Sequence, residues 1–393
     1  MRRKALSVTV NPDVMKWARE STGLDTTAVA RRLSVSVDMV EQWESREPGT
    51  KKPTLKTLEE LASFYKRPLA AFLLPEPPQE PPMPTDLRTL PEKEKHPLSR
   101  KTRLAIRRAR RLQSLATELM EAAGRETVAI IGKAALAEDP EVVASRERDS
   151  LEISVEEQFG WRDHYVAFRK WRETVESRNI MVLQAQMRVE EARGFTLLDH
   201  LLPTLVISAS DFIGARIFTL FHEYAHFLLG TSGICIPNEA LSENGEGREV
   251  ERFCDHFAGA LLVPQHALRE KAKSISRIVE GDDSYLDEIA GLFKVSRPVI
   301  LRRMLICELI SKPQYERKLA DIQYQRKRRE GGFGVPAAKR CILENGSLFT
   351  SLVLDAKNRE LINYSNLADY LSINLKHLGK LEALLHRQKI GMP

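Results

Sequence analysis

The stretch FTLFHEYAHFLL, residues 218–229, is an apolar run that contains the pattern H-E-x-x-H. Its composition predicts a helix. On a helix, the i, i+4 spacing of His222 and His226 places both imidazoles on one face, one turn apart. Two ring nitrogens at that separation can bind one tetrahedral Zn²⁺, and Glu223 beside them can take a proton from a water molecule at the metal. Because the five-residue pattern also occurs by chance, its context decides what it means.

A second amphipathic helix is predicted downstream, in the stretch ERFCDHFAGALLVP at residues 251–264. Glu251 is well placed to be the third ligand of a His₂Glu set, which leaves a fourth position open for water or substrate. Asp255, one turn further on the same face, can accept a hydrogen bond from the ring N–H of a ligand histidine and fix its orientation. The alternatives are that the histidines are buried core residues and that Asp255 forms a salt bridge on the helix face.

Length, charge and cysteine content narrow the class of protein. The 393 residues suffice for two to four domains, and 42% hydrophobic with 29% charged residues argues against global disorder. Four scattered cysteines without a C-x-x-C pair predict a reducing cytoplasm rather than a disulfide framework. We expect no membrane partner, since no apolar run reaches about 18 residues, and no signal peptide, since the basic residues 1–4 precede mixed polar sequence rather than an apolar region. The net charge of +6 modestly favours an anionic partner such as DNA.

Residues 10–74 predict a compact helical unit. A helix begins after Asn11, a pair of short helices is predicted at residues 26–33 and 37–44, and a further helix follows Pro53. The pair is joined by the tight turn Ser34–Ser36. Small and apolar side chains have the spacing needed to pack two helices across such a turn. They are Ala30, Leu33, Val35, Val40 and Trp43.

On the pattern L-x-V-S-x-x-x-V-x-x-W-E at residues 33–44, this unit resembles the Xre or phage-repressor type of helix-turn-helix domain. The resemblance implies DNA as a partner. The side chains that would face the major groove are Ser36, Val37, Asp38, Met39 and Gln42. Asp38 and Glu41 stand where DNA readers usually present basic or amide side chains. A role in protein contact or dimerisation, including a homodimer, therefore stays open.

A Pro-rich, extended linker is predicted at residues 75–97, and a basic helix follows from Leu98 to beyond Leu112. The basic face of that helix has two interpretations of equal weight. It contacts phosphates beside the helix-turn-helix, or it is solvated while the opposite face packs on the next domain.

Short apolar runs at residues 180–184 and 204–208 predict strands that precede the His222 helix. Two longer patterns follow these strands: R-x-F-T-L-x-H-E-x-x-H, which begins at Arg216, and E-x-x-x-D-x-F-A-x-x-L-L-x-P, which begins at Glu251. In both patterns the chain resembles the ImmA/IrrE family of zinc-dependent metallopeptidases. The resemblance implies a gluzincin-like fold with Zn²⁺ on His222, His226 and Glu251 and with Glu223 as the base. It further implies a cytoplasmic protein that cleaves a repressor. One departure is Cys254-Asp255, where the family more often has Ala-Asn.

The remaining chain predicts a scaffold followed by an accessory domain. Residues 285–303 have a second helix-turn-helix pattern, which we interpret as part of the peptidase scaffold rather than as a second DNA reader. Apolar runs at residues 340–343 and 349–354 predict strands, and residues 367–371 and 375–385 predict helices. The sequence contains nothing that names a ligand for this part.

The prediction is an α+β, mostly helical protein with a helix-turn-helix domain at 1–74, a linker at 75–97, a zinc metallopeptidase domain at 98–310 and a small α+β accessory domain at 311–393. The predicted function is hydrolysis or control of a regulatory protein, a repressor or toxin, in a stress, mobile-element or toxin–antitoxin circuit. The alternative is a DNA-binding regulator or antitoxin whose peptidase-like domain is non-catalytic and binds a partner protein. Tyr224, His256 and Tyr285 are candidate donors to the oxyanion.

Overall fold

The computed structural model describes residues 6–80, 98–125, 129–199, 202–231, 234–235, 246–273, 277–278, 282–326 and 335–389. Among these, residues 6–80 and 98–108 form one compact unit, and residues 109–389 form a second. The fold is mostly helical α+β, as the sequence predicts.

The first unit is entirely helical in its described part, apart from an isolated bridge between Ser7 and Thr54. Four of its helices begin with an N-cap side chain that accepts a backbone N–H, which explains where they start. The caps are Asn11, Asp25, Ser36 and Thr54. The elements are α1 (Pro12–Glu20), α2 (Thr26–Leu33), α3 (Val37–Trp43), α4 (Leu55–Tyr65), a 3₁₀ turn (Leu69–Leu73) and the beginning of α5 (Arg100–Ala122).

Two arginines of the basic helix bind the C-terminal end of α4. The Arg107 guanidinium donates to the carbonyls of Tyr65 and Lys66, at 2.6 and 2.7 Å, and Arg100 donates to the carbonyl of Phe64. Burial lowers the pKa of Arg107 to about 10. These cations satisfy carbonyls that a helix end leaves without intrahelical partners. Arg100 and Arg107 therefore pack on the preceding helix α4, a contact that neither interpretation of the basic face predicted.

The second unit contains the remainder of α5 and the sheet. Its helices before the sheet are α6 (Pro140–Ser150), α7 (Val155–Gly160) and α8 (His164–Glu176). Those after the third strand are α9 (Ile213–Leu228), α10 (Glu246–Leu262), α11 (Gln265–Lys271), α12 (Asp283–Phe293), α13 (Arg297–Ile306), α14 (Lys312–Arg326), α15 (Ala337–Asn358), α16 (Tyr364–Leu371), a 3₁₀ turn (Leu375–His377) and α17 (Leu378–Lys389).

The sheet has four strands in the order β1-β3-β2-β4. They are β1 (Met181–Ala185), β2 (Gly194–Leu197), β3 (Thr204–Ser208) and β4 (Ile234–Cys235). β1 and β3 are parallel, whereas β2 is antiparallel to both β3 and β4. The two strands predicted from apolar runs are confirmed as β1 and β3. β2, which no prediction included, connects them to β4.

The helix that carries H-E-x-x-H is buried on nearly all sides. α9 packs on α8, β2, β3 and α10, and α10 also packs on α6. Phe221, on the α8 side of the helix, meets the buried Trp171 edge to face at 4.8 Å between ring centroids. A helix that is apolar all round has to be covered in this way. Because of this packing, both metal-motif histidines lie in the protein interior.

The strands predicted at residues 340–343 and 349–354 are wrong, because both runs belong to α15. In the described residues 335–389 all regular elements are helical, so the accessory part is not α+β there. Short apolar runs do not distinguish a buried strand from a buried helix. α15 packs on β1 and α8, so its apolar side chains are covered as a helix.

A buried ion pair joins the two halves of α15 across a break at Gly346, where φ is +82°. Arg172 donates to the carbonyls of Ile342 and Leu343 at 3.2 and 2.7 Å, before the break. Its partner Glu176 accepts the backbone N–H groups that follow the break, including that of Ser347 at 3.0 Å. The ion pair thus provides hydrogen-bond partners for buried backbone groups that lack them within the interrupted helix.

No helix in the described part of the chain is long and apolar enough to span a membrane.

Candidate metal centre

The two histidines of the motif point the same way from α9. Their ring centroids are 5.2 Å apart, and both side chains are buried. This is the arrangement that the i, i+4 spacing predicts for one face of a helix. Helix α9 directly follows β3, so the sheet fixes where the histidine face lies.

Glu251, on α10, brings its carboxylate to both rings. One oxygen lies 3.2 Å from Nε2 of His222, and the other lies 3.4 Å from Nε2 of His226. The N-terminal part of α10 packs against α9, which brings together residues 25 positions apart in sequence. The structure therefore assembles the three side chains that the sequence predicts as ligands.

The donor atoms of this group fit a metal ion. Nε2 of His226 and Oε1 of Glu251 are buried and have no hydrogen-bond partner among the described residues. Buried polar atoms without partners are costly, and a cation between them would satisfy both. Two imidazole nitrogens and one carboxylate are also the donor types found at catalytic zinc sites.

Electrostatics favour a charged Glu251 carboxylate beside a neutral His226 ring. Burial by itself would raise the pKa of Glu251, but the proximity of His222 and His226 outweighs burial and holds that pKa well below its ordinary value. Burial lowers the pKa of His226, with the proximity of Glu251 acting in the opposite direction. A deprotonated carboxylate and a neutral imidazole are the protonation states that bind a cation.

Each histidine has an oxygen close to Nδ1. Asp255 Oδ1 lies 2.9 Å from Nδ1 of His222, which is the contact the sequence suggests for Asp255. The Thr231 hydroxyl lies 3.1 Å from Nδ1 of His226 and donates to that residue's own carbonyl at 3.3 Å. With the ring proton on Nδ1, the Nε2 lone pair of each ring faces the metal position. Thr231 was not predicted, because its contact depends on the turn that ends α9.

Cys254 was also not predicted as a ligand. Its sulfur and one ring nitrogen from each of His222 and His226 lie within 4.8 Å of one another, and all three residues are buried. Glu251 and Cys254 are therefore two candidates for the third donor. The Glu251 carboxylate approaches the two Nε2 atoms to 3.2 and 3.4 Å. The E-x-x-C spacing on α10 is the signal in the sequence that points to Cys254.

Glu223 is fully buried beside the histidines, against the strand β2. A Cβ at Gly194 would lie 2.7 Å from Glu223 Oε1 and 2.8 Å from Thr219 Cγ2. Since real Cβ atoms do not approach other atoms so closely, a glycine at this position leaves the space that the Glu223 carboxylate occupies. β2 thus helps to determine where the predicted base lies.

The three candidate oxyanion donors contact other groups. The Tyr224 hydroxyl donates to Glu147 at 2.9 Å, and the Tyr285 hydroxyl donates to the carbonyl of Lys271 at 3.2 Å. His256 lies 2.7 Å from a Glu141 oxygen. These contacts place none of the three at the metal position, so the expectation that one of them binds the oxyanion gains no support.

The five residues predicted to contact DNA lie on α3 and its cap, in the first unit. Ser36, Val37 and Asp38 are exposed, whereas Met39 and Gln42 are half-buried. The Ser36 hydroxyl accepts the Met39 N–H at 3.2 Å, and Gln42 donates to Asp38 at 2.8 Å. Ser36, Asp38 and Gln42, the three polar side chains predicted to read bases, thus contact groups on the helix and its cap.

Comparison with known families supports a peptidase domain in the second unit. Residues 175–305 match the family model described as IrrE N-terminal-like domain, peptidase family M78. The matched segment begins in α8 and contains the sheet, α9 and α10, and therefore every residue of the candidate metal centre. No curated protein matches the chain.

Proposed function

We propose that the protein is a zinc-dependent metallopeptidase in which His222, His226 and Glu251 hold the metal and Glu223 is the catalytic base. The observation that carries the proposal is the convergence of two Nε2 atoms and the Glu251 carboxylate, within 3.2 and 3.4 Å, in the interior of the matched segment. Three protein donors leave a fourth position for water or substrate, as hydrolytic zinc sites require.

When bound, Zn²⁺ polarises the scissile carbonyl and lowers the pKa of water from ~15.7 to about 7. Side chains orient the ligands and transfer the protons. Asp255 and Thr231 hold the histidine rings in one tautomer and orientation. Glu223, which lies on the same helix next to His222, takes the proton of the attacking water and delivers it to the leaving amine. Because Gly194 borders the Glu223 carboxylate, β2 keeps that proton acceptor beside the metal position.

The metal content of the purified full-length protein tests the ligand assignment. We expect about one zinc per chain in the wild type and in Glu223→Gln, and little in His226→Ala or Glu251→Ala. A well-folded wild type that takes up no zinc, even when zinc is added, would contradict the metal centre. If all four proteins bound zinc equally, the ligand assignment would be wrong although a metal site existed.

Catalysis needs a separate experiment, for which a repressor encoded beside the gene is the first substrate to try. We expect the wild type to cleave it and Glu223→Gln, with its zinc retained, to be inactive. Equal cleavage by both proteins would exclude Glu223 as the base. This choice of substrate follows from the proposal that the enzyme acts on a regulatory protein in a stress, mobile-element or toxin–antitoxin circuit.

We further propose that the first unit binds DNA through α3. Support comes from the turn Ser34–Ser36 between α2 and α3, where Ser34 adopts a left-handed conformation, and from the exposure of Ser36, Val37 and Asp38. We place the protein in the reducing cytoplasm. Cys254 and Cys307 of the described chain are free thiols, which fits that compartment.

A DNA-binding regulator or antitoxin with a non-catalytic peptidase-like domain is the second candidate function. The observation that favours it is the Cys254 sulfur, which lies within 4.8 Å of a ring nitrogen of each histidine and, if bound to the metal, would take the place of water. An electrophoretic shift assay on the gene's own promoter, over a salt series, tests DNA binding. The regulator proposal requires a sequence-preferring shift at low salt that Glu223→Gln leaves unchanged, and it fails if no such shift occurs.

A further inference from the structure

Helix α10 presents two metal-binding side chain types toward α9, not one. Cys254 lies three positions after Glu251, so the two side chains are neighbours on the same helix face. His222 and His226, four positions apart, lie on the surface of α9 that faces α10. The Cys254 sulfur lies within 4.8 Å of a ring nitrogen of both histidines. The two histidines are thus approached by the Cys254 sulfur and, separately, by the Glu251 carboxylate at 3.2 and 3.4 Å.

We propose that Cys254 is a fourth protein donor to the metal, so that the resting centre is a closed His₂GluCys site. The proposal rests on the metal centre of the proposed function and adds to it a sulfur ligand. With zinc bound, these four side chains would supply the four donors that Zn²⁺ prefers. Cys254 would then have to release the metal before water could take its place.

The types of the ligand atoms determine which metal ion such a site prefers. On coordination, the thiol loses its proton to solvent, and the sulfur lone pair forms the bond to the metal. Thiolate is a soft ligand that favours Zn²⁺ or Co²⁺, whereas Mn²⁺ and Mg²⁺ prefer carboxylates and water. We therefore expect the centre to select zinc over manganese, and this selectivity should depend on Cys254.

The surroundings of Cys254 differ from those of the other described thiols. Cys341 lies in the C-terminal helices, where its sulfur is 3.6 Å from the carbonyl of Leu371. Cys307 lies at the end of α13, and it belongs to no metal-binding group among the described residues. Cys307 is buried, like Cys254, and is therefore a matched control.

The test uses the full-length protein loaded with Co²⁺ in place of zinc. The wild type and Cys307→Ala should show a sulfur-to-cobalt charge-transfer band in the near ultraviolet. Cys254→Ala should bind the same amount of Co²⁺ without this band. Zinc-edge X-ray absorption should find one sulfur at about 2.3 Å in the wild type and only nitrogen and oxygen neighbours, at about 2.0–2.2 Å, in Cys254→Ala.

The outcomes separate this proposal from the proposed function. One cobalt per chain without the band, together with no sulfur neighbour of zinc, would overturn Cys254 as a ligand and leave the His₂Glu centre intact. No binding of either metal by a folded wild type would overturn both. A band that persists in Cys254→Ala but disappears in Cys307→Ala would place the sulfur ligand elsewhere and would also overturn the assignment.

Discussion

Gly194 lies so close to the Glu223 side chain that a side chain at residue 194 would displace the Glu223 carboxylate. A Cβ at residue 194 would lie 2.7 Å from Glu223 Oε1 and 2.9 Å from Glu223 Cγ. The strand β2 therefore approaches α9 closely enough to set the position of the predicted base, although the two residues are 29 positions apart in sequence. A catalytic carboxylate depends on such placement, because small displacements cost much of the rate.

We predict that Gly194→Ala reduces kcat by about 100-fold, because a displacement of the base by roughly 1 Å has an effect of that order. Zinc content should stay at the wild-type level, since the atoms nearest the new methyl group belong to Glu223 and Thr219 and not to a proposed metal ligand. Steady-state kinetics with a protein substrate that the wild type cleaves, together with metal analysis, measure both effects. Gly291→Ala is the matched control, because a Cβ at Gly291 meets nothing within 4 Å. An unchanged kcat in Gly194→Ala would show that β2 does not position Glu223.

We predict that Asp255→Ala weakens zinc binding by about 10- to 100-fold, because His222 loses the acceptor that orients its ring. Asp255→Asn should lose less, since its amide oxygen can still accept from Nδ1–H. Competition with a chelator of known affinity measures the difference. Arg252→Ala removes an exposed side chain from the same helix and should bind zinc as the wild type does. Equal affinity in all four proteins would remove Asp255 from the site.

We predict that Glu141→Gln lowers the free energy of unfolding by about 2 kcal/mol or more at neutral pH, because it leaves the buried Arg303 without its charged partner. Burial would raise the Glu141 pKa, but hydrogen bonds with His256 and Arg303 dominate and lower it from 4.5 to about 2. The stabilisation from this depressed pKa is therefore present above about pH 4.5, and it is lost as the pH falls toward about 2.

Urea denaturation over a pH series tests this prediction. The difference between the wild type and Glu141→Gln should shrink as the pH falls below about 4.5, since the wild-type carboxyl group becomes neutral. Glu156→Gln, on the exposed surface of α7, should stay within about 0.5 kcal/mol of the wild type at neutral pH. A difference for Glu141→Gln that is independent of pH would mean that the loss arises from packing rather than from charge.

We predict that Gly346→Ala destabilises the second unit by roughly 2–5 kcal/mol, since it combines a left-handed backbone with overpacking. The added Cβ would lie 2.2 Å from Glu176 Oε1 and 2.8 Å from the carbonyl oxygen of Val182. Chemical denaturation measures the loss. Gly379→Ala, where a Cβ meets nothing within 4 Å, should stay within about 1 kcal/mol of the wild type. Similar stability of both variants would show that α15 can pass residue 346 without its break.

The sequence was most informative where the determining geometry is local. The spacing of His222 and His226 follows from the pitch of one helix, so the shared face could be predicted without any tertiary information. The strands β1 and β3 were predicted for a similar reason, because each is a continuous apolar run bounded by polar residues. Tertiary structure did not alter these elements.

The errors lie where a segment depends on its neighbours. The runs at residues 340–343 and 349–354 suit a strand or a buried helix equally well, and packing on β1 and α8 as one long helix decided between them. β2 is short and begins with a glycine, so its strand character comes from pairing with β3 and β4. Pairing of this kind is not visible in the segment itself.

The sequence by itself determined the chemistry of the candidate centre: two imidazoles and a neighbouring carboxylate on one helix, and Glu251 and Asp255 on a second. Only the tertiary structure decided which atoms meet. The packing of α10 on α9 brings Glu251 to both Nε2 atoms and Cys254 within reach of the same rings, and β2 places Gly194 against Glu223. The physical reason is that helix periodicity is set by adjacent residues, whereas distances between elements are set by the packing of the whole core.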